Sequence, residues 1–466
     1  MTSSLTVRGR RVLVKGLGLH GGGVGTVQWL LNQGAIVTVT DLRPRSVLAP
    51  SLKQLAGKAV TFVLGRHRLS DFRQADLIIK NPAVPHDSPY LAVAGRAGIP
   101  IETDAALFFA NCPAPVIGIT GSKGKSTVTM LAAASWRAAG RRPIVVGNIG
   151  ISLLASLSKI KITTPVIAEL SSWQLEGLAP HHVSPHVAVL TNVYPEHLNR
   201  YRSYAHYRAV KKMIVRWQTA TDVRIINRDN PDARRIGQAT PSRRYWFSKK
   251  YFAGEDGCYV RAVVIWYRQS VHERRVLAVA DISLRGEHNL ENVLAAATLA
   301  LSQGIAPAMM RRAVRQFTGV PHRLELVREL AGVAWYNDTT ATMPEATIRA
   351  IQTLKQPKRR VILIAGGADK KSSFAGLAAV IQRQVARVIL LPGTATPKII
   401  TALKRVRYQA YTAVPTMIAA VELAQAQVQS GDTVVLSPAC ASFGLFVHEF
   451  DRGQQFIQAV RRLRRR

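Results

Sequence analysis

A glycine-rich stretch between two segments of regular structure restricts the fold of this chain more than any other feature. Val116–Ile119 is an apolar run typical of a buried strand, and residues 128–137 have the spacing of a helix. Gly121 and Gly124 lie between them and predict a tight turn. A strand that turns directly into a helix presents backbone N–H groups and the positive end of the helix dipole, which together bind phosphate. The stretch therefore predicts a phosphate-binding α/β unit.

The polar side chains of this turn suit a nucleoside triphosphate. Lys125 is placed to reach the outer phosphates, and the Ser126 hydroxyl is placed to bind Mg²⁺. The strict P-loop pattern has glycine at the position of Ile119, so only its second half is present. A solvated glycine- and serine-rich turn would share part of this pattern, but the strand, turn, Lys-Ser pair and helix together favour nucleotide binding. The predicted ATP-binding residues of the turn are Gly121, Ser122, Lys123, Gly124, Lys125, Ser126 and Thr127.

Length and composition indicate a folded protein of several domains. The chain has 466 residues, of which 47% are hydrophobic and 19% are charged, so two or three globular cores are expected. Its 63 Lys and Arg residues against 27 Asp and Glu residues give a net charge of +36, and such a field attracts polyanions. The basic residues are dispersed along the chain, however, and we do not expect nucleic-acid binding.

Cysteine usage and hydropathy predict a cytoplasmic protein without a membrane span. The 3 cysteines lie far apart without C-x-x-C spacing, which is typical of a reducing compartment and gives no metal-site pattern. No apolar run reaches the ~18 residues of a membrane helix. The first residues also lack the apolar core of a signal peptide.

A second glycine-rich turn lies near the N-terminus. The segment Gly16-Leu-Gly18-Leu-His20-Gly21 follows a short predicted strand, and Asp41 ends the next strand about 20 residues further on. This arrangement is typical of a dinucleotide site and, taken alone, suggests an NAD-dependent dehydrogenase. A UDP-sugar diphosphate needs the same glycines, so both ligands remain open at this point.

Two titratable residues are predicted at the same sheet edge as the phosphate-binding turn. Glu169 ends a strand that starts near Pro165, and His197 follows a strand at 186–190. The carboxyl ends of parallel strands share one edge of a sheet, so both side chains should lie near the turn. A carboxylate and an imidazole there are suitable Mg²⁺ ligands, or supports for such ligands. Either residue alone is more often an ion-pair partner or a solvated group.

The remainder of the chain predicts a strand-rich segment, a helix and a third α/β unit. Short strands alternate between residues 245 and 284, with a hairpin-type turn at 254–257. The alanine-rich helix that follows carries Asn289 and Asn292 one turn apart on one face. We predict an α/β protein of three domains: an N-terminal Rossmann-like domain at 1–103, a central P-loop ATPase-like domain at 104–319 and a C-terminal Rossmann-like domain at 320–466.

Eight ordered motifs resemble those of the Mur ligases of peptidoglycan synthesis. They span essentially the whole chain and are far more specific together than any single glycine loop. In order along the chain they are Gly118–Thr127, Gly147–Gly150, Glu169–Glu176, Asn192–His197, Gly286–Asn292, Pro321–Arg323, Asn337–Thr342 and Ser437–Ser442. Within the family, the sequences at 169–175 and 437–442 point to the member that adds D-glutamate.

The resemblance implies an ATP-driven amide synthesis. The carboxylate of UDP-N-acetylmuramoyl-L-alanine would attack the γ-phosphate of ATP, and the amine of D-glutamate would displace phosphate from the acyl phosphate. The implied catalytic residues are Lys125, His197 and Lys211. Ser126 and Glu169 would hold one Mg²⁺ ion, and His197 and Lys211 a second. Lys211 would have to be carbamylated, because an unmodified lysine has only N–H donors; Lys212 is the competing assignment.

The resemblance also assigns the substrate contacts. For ATP, they are Asn289 and Asn292 at adenine, and Arg323 and Asp338 at the phosphates and ribose. For the nucleotide sugar, they are Gly18, Leu19, His20, Gly21, Arg43 and Asn148. For D-glutamate, they are Thr342, Lys370 and Ser442. Thr340 replaces a lysine that is common in the family, so one cation near the reacting groups is missing or replaced.

Three alternatives compete with this prediction. They are a sibling ligase that adds a different amino acid, an NAD-dependent dehydrogenase, and a basic protein that binds ATP or nucleic acid without catalysis. The dehydrogenase leaves the stretch at 116–128 unexplained. From the resemblance we expect a monomer whose third domain closes over ATP.

Overall fold

The computed structural model describes residues 6–19, 21–85, 87–196, 200–238, 240–284, 287–356, 359–369, 372–442 and 444–464, with side chains described from residue 289 in the segment that begins at 287. The chain forms two compact units, Met1–Phe317 and Thr318–Arg466. The first unit contains two sheets and the second contains one. These three α/β domains confirm the predicted fold class.

The N-terminal sheet consists of five parallel strands with helices between them. The strands are β1 (Arg11–Lys15), β2 (Ile36–Asp41), β3 (Val60–Leu64), β4 (Leu77–Lys80) and β5 (Ile101–Thr103). The helices are α1 (Gly22–Asn32), α2 (Arg45–Lys53), α3 (Leu69–Gln74), α4 (Pro89–Arg96) and α5 (Asp104–Asn111). The strand order is β3-β2-β1-β4-β5. The order reverses at β1, which is where open parallel sheets bind ligands at their carboxyl edge.

The central sheet has nine strands. They are β6 (Val116–Thr120), β7 (Ile144–Gly147), β8 (Val166–Glu169), β9 (Val187–Leu190), β10 (Val223–Asn227), β11 (Arg243–Ser248), β12 (Gly257–Arg261), β13 (Val264–Gln269) and β14 (His272–Ala278). Its helices are α6 (Lys125–Ala138), α7 (Leu153–Ser156), α8 (Ser172–Leu178), α9 (Tyr204–Arg216), α10 (Pro231–Ile236), α11 (Glu287–Ser302) and α12 (Pro307–Gln316). The strand order is β14-β13-β12-β11-β10-β9-β6-β8-β7. β6 therefore lies between β8 and β9, with Ile119 opposite Glu169 and Thr120 opposite Leu190.

The prediction of a hairpin turn at 254–257 is wrong. β11 and β12 are parallel, so the segment between them is a crossover and not a hairpin. The hairpin turns lie further on, where β12, β13 and β14 pair in antiparallel fashion. Their tips include Val263 and Ser270, both with positive φ (55° and 56°). No glycine marks these tips, whereas Gly257 is required because a Cβ there would overlap the carbonyl oxygen of Trp246.

The C-terminal sheet of the second unit has six strands. They are β15 (Glu325–Leu330), β16 (Val333–Asn337), β17 (Val361–Gly366), β18 (Arg387–Leu391), β19 (Tyr411–Ala413) and β20 (Thr433–Leu436). Its helices are α13 (Pro344–Leu354), α14 (Ala375–Gln384), α15 (Thr396–Arg405), α16 (Met417–Gln427) and α17 (Glu449–Arg462). The order is β15-β16-β20-β17-β18-β19, with only β15 antiparallel to its neighbour. Alternate residues of its buried strands belong to two different hydrophobic clusters, because successive side chains of a strand point to opposite faces of the sheet.

One hydrophobic core joins the two sheets of the first unit. It includes residues from Val7 in the N-terminal sheet region to Tyr259 in β12. Helix α1 packs on α7, and α5 packs on α7 and α8. Gly25 permits the first of these contacts, since a Cβ there would overlap Ser152. The N-terminal and central sheets are therefore held together by packing.

The helices are all of the length found in globular domains. The longest in the described segments is α11, with 16 residues. A helix that crosses a bilayer needs about 20 apolar residues. Within the described part of the chain, no helix has the length and apolar content to span a membrane.

Candidate active site

The P-loop, residues 121–124, joins β6 to α6 at the carboxyl edge of the central sheet. Gly124 caps α6 with a φ of 84°, a left-handed conformation that favours glycine. A Cβ at Gly121 would overlap Thr191 Oγ1, and one at Gly124 would overlap Asn292 Oδ1. The first turn of α6 contains no acidic residue, so its dipole is available to an anion.

Thr191 and Asn192, which were not predicted as site residues, hold the P-loop in place. Ser122 N donates to Asn192 O at 2.9 Å, and Lys123 N donates to Asn192 Oδ1 at 2.8 Å. Thr191 Oγ1 donates to Lys123 O at 2.6 Å. The signal in the sequence was their position directly after a buried strand, β9, at the edge that carries the P-loop.

The Lys125 side chain folds back over the P-loop. Its Nζ donates to the carbonyl oxygens of Gly121 at 2.9 Å and of Ser122 at 3.0 Å. The ammonium group therefore lies at the loop itself, where phosphate oxygens would compete with these carbonyls. In the first turn of α6, Ser126 is buried and Thr127 is half-buried.

Glu169 is the last residue of β8 and has 0% solvent exposure. Asn148 Nδ2 donates to its Oε1 at 2.8 Å, and Asn148 N donates to its carbonyl oxygen at 2.9 Å. Its Oε2 is buried and has no hydrogen-bond partner among the described residues. A buried carboxylate oxygen without a partner is costly unless a cation or a donor completes it. The residues here therefore fit an oxygen-ligated Mg²⁺ ion.

Lys211 is the buried lysine of α9, whereas Lys212 is half-buried. Lys211 Nζ donates to Thr120 Oγ1 at 2.9 Å, at the end of β6. Burial lowers the pKa of Lys211 well below its ordinary value, and the nearby charge of Lys125 lowers it further. The carboxylates of Glu196 and Glu169 oppose this shift. The structure thus places Lys125 and Glu169 close enough to Lys211 for their charges to act on it.

Asn289 and Asn292 lie beside the P-loop on α11. Asn292 Nδ2 donates to Asn289 Oδ1 at 3.0 Å, so the two amides share one helix face. Asn292 is buried against Gly124, and Asn289 is half-buried. An adenine contact from this helix would therefore be adjacent to the triphosphate site.

Three predicted site residues, His20, His197 and Lys370, lie outside the described residues. Among the residues whose positions are described, no group of three or more His, Cys, Asp or Glu forms a metal-binding cluster. The ligand set for a second metal ion, which includes His197, stays a prediction.

The N-terminal glycine turn is closed by Asp41. The N–H groups of Leu17 and Gly18 donate to Asp41 Oδ2 at 2.9 and 3.4 Å. Arg43 donates through Nε to Oδ1 at 3.1 Å and through Nη2 to Oδ2 at 2.8 Å. Burial raises the pKa of Asp41, but the hydrogen bonds from Arg43 outweigh this effect and hold the pKa below its ordinary value. Both carboxylate oxygens are engaged, which disfavours a ribose contact of the dehydrogenase type.

The glycines of this turn also depart from the dinucleotide pattern. Gly16, Gly18 and Gly21 have positive φ values of 92°, 70° and 80°, and Leu19 between them is buried. A Cβ on Gly21 would meet nothing within 4 Å. Close packing of helix on strand depends instead on Gly23, where a Cβ would overlap the carbonyl oxygen of Leu17. The sequence therefore matches G-x-G-x-x-G, but its third glycine, Gly21, does not serve the close helix–strand packing for which the dinucleotide motif needs it.

In the second unit, Asp338 lies at the carboxyl edge of the C-terminal sheet. It follows β16, whose neighbour β20 leads into the loop at 437–442. Asp338 Oδ2 accepts from Ser437 Oγ at 2.8 Å, and Oδ1 accepts from Leu324 N at 3.2 Å. Burial raises the pKa of Asp338 to about 7, and these hydrogen bonds only partly oppose it. Of the other predicted residues of this unit, Arg323 is exposed, Thr342 is half-buried and Ser442 is buried.

Arg452 of α17, which was not predicted, joins the two loops of this edge. It has 0% exposure. It donates through Nε to Thr339 Oγ1 at 3.0 Å, through Nη2 to Thr339 O at 2.9 Å and through Nη1 to Cys440 O at 3.2 Å. The sequence carried no signal for it, because an arginine in a helix is ordinarily solvated.

Comparison with known proteins identifies the family. The family models named "Mur ligase MurD-like, N-terminal domain", "Mur ligase middle domain" and "Mur ligase, glutamate ligase domain" match residues 10–103, 119–300 and 322–440. The UDP-N-acetylmuramoylalanine–D-glutamate ligase of Roseiflexus sp. (strain RS-1) is 43% identical over 98% of this chain and 99% of its own length. The chain belongs to the Mur ligase family.

Other Mur ligases agree with this assignment. The UDP-N-acetylmuramoylalanine–D-glutamate ligase of Koribacter versatilis is 37% identical over 98% of this chain and 99% of its own. The resemblance inferred from the eight motifs, including its D-glutamate-adding branch, is confirmed by these full-length relatives. The family implies the use of ATP, which the P-loop geometry also favours.

Solved Mur ligase structures share the fold. The UDP-N-acetylmuramate-alanine ligase MurC of Thermotoga maritima has a TM-score of 0.60 at 18% identity and covers 97% of this chain and 99% of its own. MurF of Acinetobacter baumannii has a TM-score of 0.57 at 15% identity, with 98% and 93% covered. At these identities the likeness concerns the fold alone.

Proposed function

We propose that this chain joins D-glutamate to UDP-N-acetylmuramoyl-L-alanine in an ATP-dependent reaction of peptidoglycan precursor synthesis, with an acyl phosphate as intermediate. The observation that carries this proposal is the buried Glu169 Oε2, which lacks a partner among the described residues and lies at the same sheet edge as the P-loop. Full-length relatives that are named D-glutamate ligases support the choice of substrates.

The reaction is an activation followed by a displacement. A carboxylate oxygen of the muramoyl-alanine substrate attacks the γ-phosphorus, the bond to the β-phosphate oxygen breaks, and ADP leaves. The amine of D-glutamate then attacks the acyl carbon, phosphate leaves with the bonding pair, and the new amide loses one proton. Two anions must approach each other in the first step, so Lys125 and the P-loop N–H groups would stabilise the charge that develops on the phosphoryl group.

Mg²⁺ fits the residues around Glu169. Ser126 and Glu169 would hold one ion, and His197 with a carbamylated Lys211 would hold a second. Mg²⁺ supplies charge neutralisation between the carboxylate and the phosphoryl group when it is bound. Asn148 would keep Glu169 oriented, since its side chain already donates to Oε1 at 2.8 Å.

Carbamylation of Lys211 accords with its surroundings. Attack of the neutral Nζ on CO₂ forms an N–C bond, and loss of one proton leaves an anionic group with two oxygens. Lys211 is buried and oriented by Thr120, whereas Lys212 is half-buried. We expect Lys211→Arg to lose both turnover and the NMR signal of carbon-13-labelled CO₂ on the protein, while Lys212→Arg keeps both. Retention of the signal in Lys211→Arg would place the carbamate elsewhere.

The remaining proposed contacts with the three substrates are distributed over the three domains. The nucleotide sugar would contact Gly18, Leu19, His20, Gly21, Arg43 and Asn148, with its acid end near His197. Asn289 and Asn292 would contact adenine, and Arg323 and Asp338 the ribose and phosphates. Thr342, Lys370 and Ser442 would bind D-glutamate, with Lys370 pairing with a carboxylate.

The decisive experiment is phosphate release with a panel of amino acids. We expect release only when ATP·Mg²⁺, UDP-N-acetylmuramoyl-L-alanine and D-glutamate are all present. If phosphate is released only with a different amino acid, the protein is a sibling ligase that adds that amino acid. Thermal stabilisation by NADH and not by ATP·Mg²⁺ would favour a dehydrogenase, which the engaged carboxylate of Asp41 disfavours.

We further propose that the protein acts in the cytoplasm as a monomer. The three cysteines, Cys112, Cys258 and Cys440, are free thiols, which suits a reducing compartment. Sedimentation velocity should give a single species with the mass of one chain. A species of twice that mass at micromolar concentration would contradict the monomer.

A further inference from the structure

Arg200 links the loop that follows β4 to helix α8 in the first unit. Its Nη2 donates to Pro82 O at 3.2 Å and to Glu176 Oε2 at 3.3 Å, and its Nη1 donates to Ala83 O at 3.5 Å. Its guanidinium lies over the Trp173 ring, 4.4 Å from the centroid. The side chains of Arg200 and Glu176 are only 18% and 12% exposed, so the pair is shielded from most solvent.

On the N-terminal side, the carbonyls that Arg200 binds belong to a segment in contact with the glycine turn. Asn81 Nδ2 donates to Gly16 O at 3.4 Å, and Asn81 Oδ1 accepts from Ala83 N at 3.0 Å. A Cβ on Gly16 would lie 3.0 Å from the Asn81 side chain. The position of this segment therefore determines where the glycine turn, the proposed diphosphate site, can lie.

On the central side, Arg200 is attached to the P-loop through its own neighbours. The adjacent Tyr201 is buried, and its ring packs on that of Tyr207 with centroids 5.3 Å apart. The Tyr207 hydroxyl hydrogen-bonds with Ser122 Oγ at 3.1 Å. Earlier in the same segment, Glu196 forms an ion pair with Lys123. A continuous set of contacts thus runs from the glycine turn through Arg200 to the P-loop.

We propose that Arg200 is a positioning residue that holds the nucleotide-sugar turn at a set distance from the P-loop, so that the muramoyl carboxylate meets the γ-phosphate. This inference rests on the proposed function. A planar guanidinium suits the role, because it donates to two carbonyls and a carboxylate while it stacks on Trp173. A lysine ammonium has no such fork, so Arg200→Lys should not restore the geometry.

The test compares the affinity for each substrate with turnover. For Arg200→Ala and Arg200→Lys, kcat/KM for UDP-N-acetylmuramoyl-L-alanine should fall by about 100-fold, the loss expected from a displacement of about 1 Å. The Kd for ATP·Mg²⁺, measured without the sugar, should stay at the wild-type value, because Thr191 and Asn192 anchor the P-loop independently. A merely structural role would weaken both sites together.

A matched control is Arg216→Ala. Arg216 also lies over a tryptophan, with its guanidinium 5.4 Å from the Trp217 centroid, but at the far end of α9. This variant should keep wild-type kinetics for both substrates. Wild-type kcat/KM in Arg200→Ala, recovery in Arg200→Lys, or a parallel loss of ATP affinity would each overturn the role of Arg200.

Calorimetry with the nucleotide sugar separates this inference from the proposed function. If the wild-type protein binds the sugar but does not join D-glutamate to it, the proposed reaction is wrong while the sugar site stands. The difference in sugar affinity between the wild-type protein and Arg200→Ala then still decides the role of Arg200. Equal affinities would refute the positioning role whatever the reaction.

Discussion

Replacing Glu169 by glutamine separates the cost of this side chain in the empty fold from its use in the reaction. Its Oε1 accepts a hydrogen bond from Asn148, whereas its Oε2 is fully buried and unpartnered among the described residues. Glutamine has nearly the same shape, keeps the oxygen that Asn148 binds, and removes the charge. Glu169→Gln should therefore fold normally and lose the metal ligand.

The two effects have opposite signs. An unsatisfied buried polar group costs roughly 1–3 kcal/mol, and a charged one more. The variant exchanges a charged group for a neutral one that is also unpartnered, so without ligand its free energy of unfolding should rise by about 1 kcal/mol. ATP·Mg²⁺ at 100 times its Kd should stabilise the wild-type protein by about 2.7 kcal/mol. The variant should gain much less from the metal, and kcat should fall by at least about 100-fold.

The assay is unfolding in the absence of ligand, with ATP alone and with ATP·Mg²⁺, together with phosphate release. The control is Glu102→Gln, whose carboxylate is partnered by His181 Nε2 at 2.8 Å. That variant should lose stability and keep the response to Mg²⁺. Equal stabilisation of the wild-type protein and Glu169→Gln by ATP·Mg²⁺, with turnover retained, would falsify the assignment of Glu169 as a metal ligand.

Three further predictions concern the P-loop and the second unit. Lys125→Ala should lower kcat by at least about 100-fold, because it removes the cation at the phosphates, and full activity in a phosphate-release assay would contradict this role. Gly124→Ala should cost about 1–2 kcal/mol for its left-handed backbone and should also raise the KM for ATP, because its Cβ would displace Asn292. The control Gly140→Ala has a similar φ of 74° with open space around it, and it should leave that KM unchanged; equal KM values in the two variants would refute the explanation. Finally, burial raises the pKa of Asp338 to about 7, above the value of about 3.9 in an unfolded chain, so wild-type stability should fall as the pH rises through this interval. Asp338→Asn removes that loss, and urea unfolding should show its advantage over the wild-type protein growing by about 2–3 kcal/mol between about pH 5 and about pH 8; an advantage independent of pH would count against the buried, protonated carboxyl.

Local chemistry explains which parts of the candidate site the sequence places together. Gly124 and Lys125 belong to a continuous stretch in which strand, turn and helix follow one another, so their proximity does not depend on the rest of the fold. Asn289 and Asn292 are one helical turn apart, and their hydrogen bond at 3.0 Å follows from that spacing. The prediction of a hairpin at 254–257 was wrong because the pairing of two strands depends on the whole sheet and not on the residues of the turn. Its glycines serve a parallel crossover, and the actual hairpin tip at Val263 has no glycine to mark it.

The sequence by itself determined the α/β fold class, the order of the eight motifs and membership of the Mur ligase family, because these depend on residue types at short, fixed spacings. Only the tertiary structure decided which charged groups lack a partner. Glu169 lies on β8, which pairs with both β6 and β7, and its Oε2 is buried without a partner among the described residues. Arg452 is buried because it bonds both to the loop just before α17, at Cys440, and to a loop far from it in sequence, at Thr339. Burial and pairing arise from contacts between residues far apart in the chain, and spacing along the sequence does not record them.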